Sequence, residues 1–117
     1  RRLKHELFDR NFKVYDAILR FMGSVMASGK AKDEHLSEFN RETRVAKFLL
    51  DDEIVQLVEE LYEKAIDLQT FEAELDGLPV GEERSRLVKK RSEIKKWIYH
   101  QFGELDRRFE KTLALRR

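Results

Sequence analysis

The sequence predicts an all-α domain folded as an antiparallel up-and-down bundle of about four helices, and three observations carry that expectation. Apolar residues recur at three- and four-residue spacing over most of the chain. No segment alternates apolar and polar residues with period two, so no strand is expected. The strongest turn signal, Asp76-Gly77-Leu78-Pro79-Val80-Gly81, falls between two long periodic stretches.

The first helix is expected from about residue 3 to 28, on the stripe Leu3, Leu7, Phe8, Val14, Tyr15, Ile18, Phe21, Met22 and Val25. It stops at Ser28-Gly29-Lys30, where glycine suits the left-handed turn that satisfies terminal carbonyls. A shorter second helix carries Leu36, Phe39, Thr43 and Ala46 and is entered through Lys32, Asp33 and Glu34, whose carboxylates suit a helix N-terminus. The apolar knot Phe48-Leu49-Leu50 follows. Asp51 is the expected cap of a third helix from about 52 to 75, with Ile54, Val58, Leu61, Ala65, Leu68 and Leu75 in nearly a heptad repeat, as in a coiled coil. Pro79 bars helix at the residue before it. The last helix should run from near Glu82 to about Leu113, with Leu87, Ile94, Ile98, Phe102, Leu105, Phe109 and Leu113 in one stripe and Arg91 where another apolar residue would fall. Short connections between such helices favour antiparallel neighbours.

With 117 residues the chain reads as a single domain over 1–117. Mass scaling gives a folded surface of roughly 6,700 Å² against roughly 20,000 Å² unfolded, enough burial for a core without staples. There are no cysteines, which removes disulfide scaffolds, thiol catalysis and cysteine zinc sites and suits a reducing cytoplasm. The longest apolar runs are three residues, such as Ala17-Ile18-Leu19, far short of a membrane span. The chain starts at Arg1 without an initiator methionine, so it reads as a fragment of a longer protein in which an anchor could lie upstream.

Net charge is only +1, which argues against broad electrostatic binding to nucleic acid, yet the charge is partitioned. Residues 51 to 76 hold ten acids and one base, Lys64, a net of −9; residues 84 to 96 hold seven bases and one acid, Glu93, a net of +6. If the Pro79 turn folds the last helix back on the third, Asp67, Glu72, Glu74 and Asp76 approach Arg84, Arg86, Lys89, Lys90 and Arg91. The alternative is a phosphate-binding face made by Arg84, Arg86, Lys89, Lys90, Lys95 and Lys96, fitted to an anionic membrane surface more than to nucleic acid, for which no groove-entering motif is present.

Motifs for chemistry are missing. Di-metal bundles use Glu-x-x-His pairs, but the residues three before His5, His35 and His100 are Arg2, Lys32 and Trp97. His5 with Asp9 and His100 with Glu104 are four apart, a spacing equally common on any charged helix surface. Glu59, Glu60, Glu63 and Asp67 read as solvated charges, and Ser24, Ser28, Ser37, Ser85 and Ser92 lie in no nucleophile motif. No catalytic residue, cofactor or metal is therefore expected. Phe12, Phe48, Phe71, Trp97 and Tyr99 do not fit one stripe, so they should wrap the core edge, the alternative being that some stay exposed for a partner. From Phe21 to Gly29 no residue is charged, and Gly23 and Ala27, like Ser24 and Ser28, are four apart. Phe21, Gly23, Ser24 and Ala27 are thus a candidate seam for close approach of a helix, from a second copy or another helical protein.

The stretches Leu7-Phe8-Asp9-Arg10-Asn11, Phe48-Leu49-Leu50-Asp51-Asp52-Glu53-Ile54, Leu78-Pro79-Val80-Gly81-Glu82-Glu83-Arg84 and Trp97 to Phe102 resemble a family of uncharacterised bacterial helical domains. In that family similar text often follows an N-terminal membrane helix or coil, which implies tethering, at the inner face of the membrane, and nothing catalytic. The family pattern has an aromatic at Leu50 and a threonine or serine at Lys32, so the second helix is less well capped here. The expected function is a helical scaffold or protein-interaction domain, with the phosphate-binding face as the alternative.

Overall fold

The computed structural model describes residues 2–113, with side chains from residue 5 onward. Five helices make up its secondary structure, with no strand among the described residues: α1 (Arg2–Ser28), α2 (Asp33–Thr43), α3 (Ala46–Leu49), α4 (Asp52–Leu75) and α5 (Glu82–Phe109). The apolar knot before Asp51 is thus itself a turn of helix. At the other end, α5 closes at Phe109 rather than at 113, but Leu113 still donates its N–H to the Phe109 carbonyl at 2.9 Å and buries its side chain.

The helix ends explain themselves locally. Gly29, at φ 78°, donates its N–H to the Val25 carbonyl at 2.6 Å and closes α1 in the left-handed conformation that glycine adopts without a Cβ clash. Asp51 does occupy the position before α4, yet its carboxylate makes no capping bond; its backbone carbonyl accepts from Ile54 and Val55, both at 3.0 Å. Lys32 likewise offers α2 no side-chain cap. Between α4 and α5, Gly77 (φ 77°) makes the reversal, and Arg84 reaches back to the carbonyls of Leu75 and Leu78 at 3.4 and 3.0 Å. That cation satisfies carbonyls at the negative end of α4. Gly81, at φ 163°, is simply extended and needs no glycine.

The four longer helices form a closed antiparallel ring. Phe21 of α1 stacks on Phe39 of α2 (4.7 Å between centroids), and Tyr15 of α1 meets Phe109 of α5 edge-on at 5.4 Å. Arg91 and Lys64 tie α5 to α4 through Glu72 and Trp97, and Gln69 of α4 donates to the Ala31 carbonyl at 2.7 Å and to Asp33 at 2.8 Å, beside and at the start of α2. Because α2 is short and α1 is displaced along the axis, the ring is complete only in its middle. Lys95 lies against Gly29 at the end of α1, so the first turns of α5 and the last of α4 project past α1 as a two-helix hairpin. At the opposite end the first turns of α1 run beyond Phe109. The result is 60 × 25 × 23 Å with 7962 Å² of surface, more than the roughly 6,700 Å² that a compact domain of this mass would expose.

Helix phase follows the stripes: Leu61, Leu68, Ile94 and Ile98 are all buried, with Val14, Ile18, Met22, Val25 and Phe39 across from them. Leu57 joins them, whereas Val58 and Phe102 only flank the core. Leu7 and Phe8 are exposed, contrary to the stripe, because they lie on the overhanging part of α1; Leu3 falls outside the described side chains. Arg91 occupies its apolar register position half-buried, 3.3 Å from Glu72. Of the five off-stripe aromatics, Phe71 and Trp97 wrap the core edge, and Phe12, Phe48 and Tyr99 do not. No helix is long and apolar enough to cross a membrane among the described residues.

Candidate protein-interaction groove

Four large exposed apolar side chains, Phe48, Leu49, Tyr62 and Ile66, lie on α3 and one flank of α4, whereas Val80 and Tyr99 are exposed singly elsewhere. At the end of α2, Thr43 is buried and returns its hydroxyl to the Phe39 carbonyl at 2.8 Å, which leaves the chain free to turn at Arg44 and Val45. The single turn of α3 then inserts Ala46 into the core and holds Phe48 and Leu49 outward, 77% and 47% exposed. Leu50 closes that turn, donating to the Ala46 carbonyl at 3.0 Å.

On α4, two apolar stripes coexist. Ile54, Leu57, Leu61, Ala65 and Leu68 face the core, while Val55, Val58, Tyr62 and Ile66 form a second seam about 105° around the helix, at 100° per residue. Tyr62 and Ile66 are 38% and 39% exposed. Between this seam and the α2–α3 corner lies a groove of about 510 Å³, with Ala46, Phe48, Val55, Val58 and Tyr62 in its lining. Its banks carry opposite charges, Arg44 and Lys47 on the α2–α3 side and Glu59 and Glu63 on the α4 side. None of these four makes an ion pair among the described residues. The trough is thus apolar along its floor and carries unpaired charges on both rims. Among the described residues no group of three or more His, Cys, Asp or Glu side chains could hold a metal ion.

The basic residues of α5 do not all share one face: Arg84 and Lys95 turn toward their own chain, whereas Arg86, Lys89, Lys90 and Lys96 lie on the exposed side. Arg84 is engaged by carbonyls, Arg86 bonds both oxygens of Glu83 (3.0 and 2.6 Å), and Lys95 lies at Gly29 on the α1 side. Lys89, Lys90 and Lys96 are exposed. Hydrogen bonding to Arg86 lowers the Glu83 pKa and raises that of Arg86. Of the expected contacts between α4 acids and α5 bases, only Arg91 with Glu72 is a direct ion pair among the described residues. In the small-residue seam of α1, Phe21 is core, packed on Phe39, so it offers no surface to a partner; Gly23 and Ser24 are half-buried and Ala27 is exposed. A Cβ added to Gly23 would meet nothing within 4 Å. Glu104 pairs with Arg107 at 2.8 Å, and His100 packs edge-on against Tyr99.

A second cavity, about 290 Å³ between α1 and α2, is lined by Arg20, Ser24, His35, Glu38 and Glu42. Arg20 is the hub of three carboxylates there, Asp16 at 2.9 Å, Glu42 at 2.6 Å and Glu38 at 3.4 Å, and the bonds it donates to Asp16 and then to Glu42 raise its pKa. This is a tie between α1 and α2.

The α3–α4 groove was not expected as a site. Its signal was in the sequence, since Phe48 fits no stripe and Val55, Tyr62 and Ile66 keep their own helical spacing beside the core stripe. The chain matches no family model, and neither the curated proteins nor the solved structures contain a match to it.

Proposed function

We propose that the domain is a non-enzymatic protein-interaction module that holds a helical partner in the α2–α3–α4 groove. The observation that carries this reading is the second apolar seam of α4 standing open beside Phe48, since monomeric domains seldom leave large apolar side chains grouped at a concave surface. The tether implied by the family resemblance belongs to the same reading and is tested by membrane fractionation of the full-length protein.

The direct test is titration of the isotopically labelled domain with an uncharged amphipathic helical peptide. Amide shifts are expected at Ala46, Phe48, Val55 and Tyr62, and Phe48→Ser should abolish them without changing the melting temperature. Absent shifts, or shifts confined to other faces, would refute the groove. Sedimentation of the domain alone over a range of concentrations reports whether a second copy fills the groove instead.

A further inference from the structure

The rims of the groove specify more than a generic apolar helix. On α4, the seam residues Val55, Tyr62 and Ile66 are bordered on their solvent side by Glu59 and Glu63. Across the trough stand Arg44, at the end of α2, and Lys47, on α3. All four are exposed and lack ion-pair partners among the described residues, so each keeps its charge available to an incoming group. From Val55 to Ile66 the seam spans twelve residues, roughly 17 Å of helix, which matches about three turns of a docked helix.

We infer that the groove takes an amphipathic helix whose apolar stripe is flanked by Lys or Arg on one side and by Asp or Glu on the other, and that these flanks fix the direction in which it lies. This rests on the groove reading above and deepens it. The cationic flank lies along Glu59 and Glu63 and the anionic flank along Arg44 and Lys47. A helix turned end for end with its apolar stripe still facing down exchanges its two flanks, so a split-charge helix satisfies both rims in one direction only. In the other direction it sets like charges against both banks. Helices with two acidic or two basic flanks satisfy one bank and oppose the other in either direction. Apolar burial therefore supplies affinity, and the opposed rims supply polarity and partner choice.

The experiment uses three synthetic helices of about four turns with the same apolar stripe: one with lysine and glutamate on opposite flanks, one with the flanks exchanged, and one with glutamine on both. Each carries a nitroxide at its N-terminus, and broadening of the domain's amide signals locates that end near Phe48 or near Ile66. At low salt the two split helices should bind about three- to thirtyfold more tightly than the glutamine helix and lie in opposite directions, and the gain should shrink as salt rises. Reversing all four rim charges together (Arg44→Glu, Lys47→Glu, Glu59→Lys, Glu63→Lys) should invert the direction of each split helix. The same direction for both split helices, or no gain over the glutamine helix, overturns the charge assignment while leaving the groove in place. Failure of all three helices to bind overturns the groove reading as well.

Discussion

Ile98 and Leu87 lie in the same stripe of α5 and are both essentially inaccessible, at 0% and 1% exposure, yet their truncation to alanine should differ in cost. Ile98 lies in the middle of the bundle, where α1, α2, α4 and α5 all contribute to one continuous core. Leu87 lies in the projecting hairpin, where it is buried with Leu75 outside that core. Either change removes three carbons, worth about 2.4 kcal/mol at ~0.8 kcal/mol each. Around Ile98, side chains from several helices hold one another in place, so a cavity of about 50 Å³ should persist and add about 1.2 kcal/mol at ~24 cal/mol per Å³. Around Leu87, two helices alone can close together, and the added cost should be near zero. Ile98→Ala is therefore expected to destabilise by about 3.6 kcal/mol and Leu87→Ala by about 2.4 kcal/mol, a gap of roughly 5 °C in Tm for a domain of this size. Urea unfolding followed by circular dichroism measures both. Equal losses, or a larger loss at Leu87, would refute the view that the hairpin is a separate, more yielding layer.

Four further outcomes follow from particular contacts. The Arg91–Glu72 pair, 29% and 25% exposed, should behave as a replaceable ion pair: Glu72→Ala costs about 1 kcal/mol, whereas Arg91→Met with Glu72→Leu restores parental stability, as a double-mutant cycle would show. Tyr15 donates to Asp106 at 2.7 Å, and that bond, with burial and nearby carboxylate charge, holds its phenol above the usual pKa of about 10. The neutral phenol is the form the fold favours, so its contribution is complete below pH ~10 and is lost as pH rises through the higher folded value; Tyr15→Phe should remove that alkaline loss in melts run from neutral to strongly alkaline pH. Gly77→Ala should cost about 1–2 kcal/mol by forcing a side chain into the left-handed region, measurable by thermal melts. Reversing Lys89 and Lys90 together to glutamate should change stability by less than about 0.5 kcal/mol at low salt, because neither makes an ion pair among the described residues; a large loss would mean that the charge partition binds α4 to α5 more strongly than the Arg91 contact shows.

What the sequence determined by itself is everything governed by local periodicity. The stripes through Ile18, Leu61 and Ile98 set which face of each helix is buried, because a side chain's direction on a helix depends on residue spacing alone. Gly29 and Gly77 marked their turns because a positive φ is a property of one residue. Tertiary structure decided how far each helix slides along its neighbours. That offset left Leu7 and Phe8 outside the core although they obey the stripe, and it set Lys95 beside Gly29, apart from the exposed lysines of the same helix. It also decided the fate of the charges, since a run of acids beside a run of bases does not say which pairs come within reach; Arg91 found Glu72, whereas Arg84 found the open carbonyls at the end of α4. The groove belongs to the same class. Phe48 and the second seam of α4 were visible as residues without a place in any stripe, but a concave surface exists only once α2 stops, α3 turns outward and α4 passes beneath, and no spacing rule within one helix encodes the packing of three.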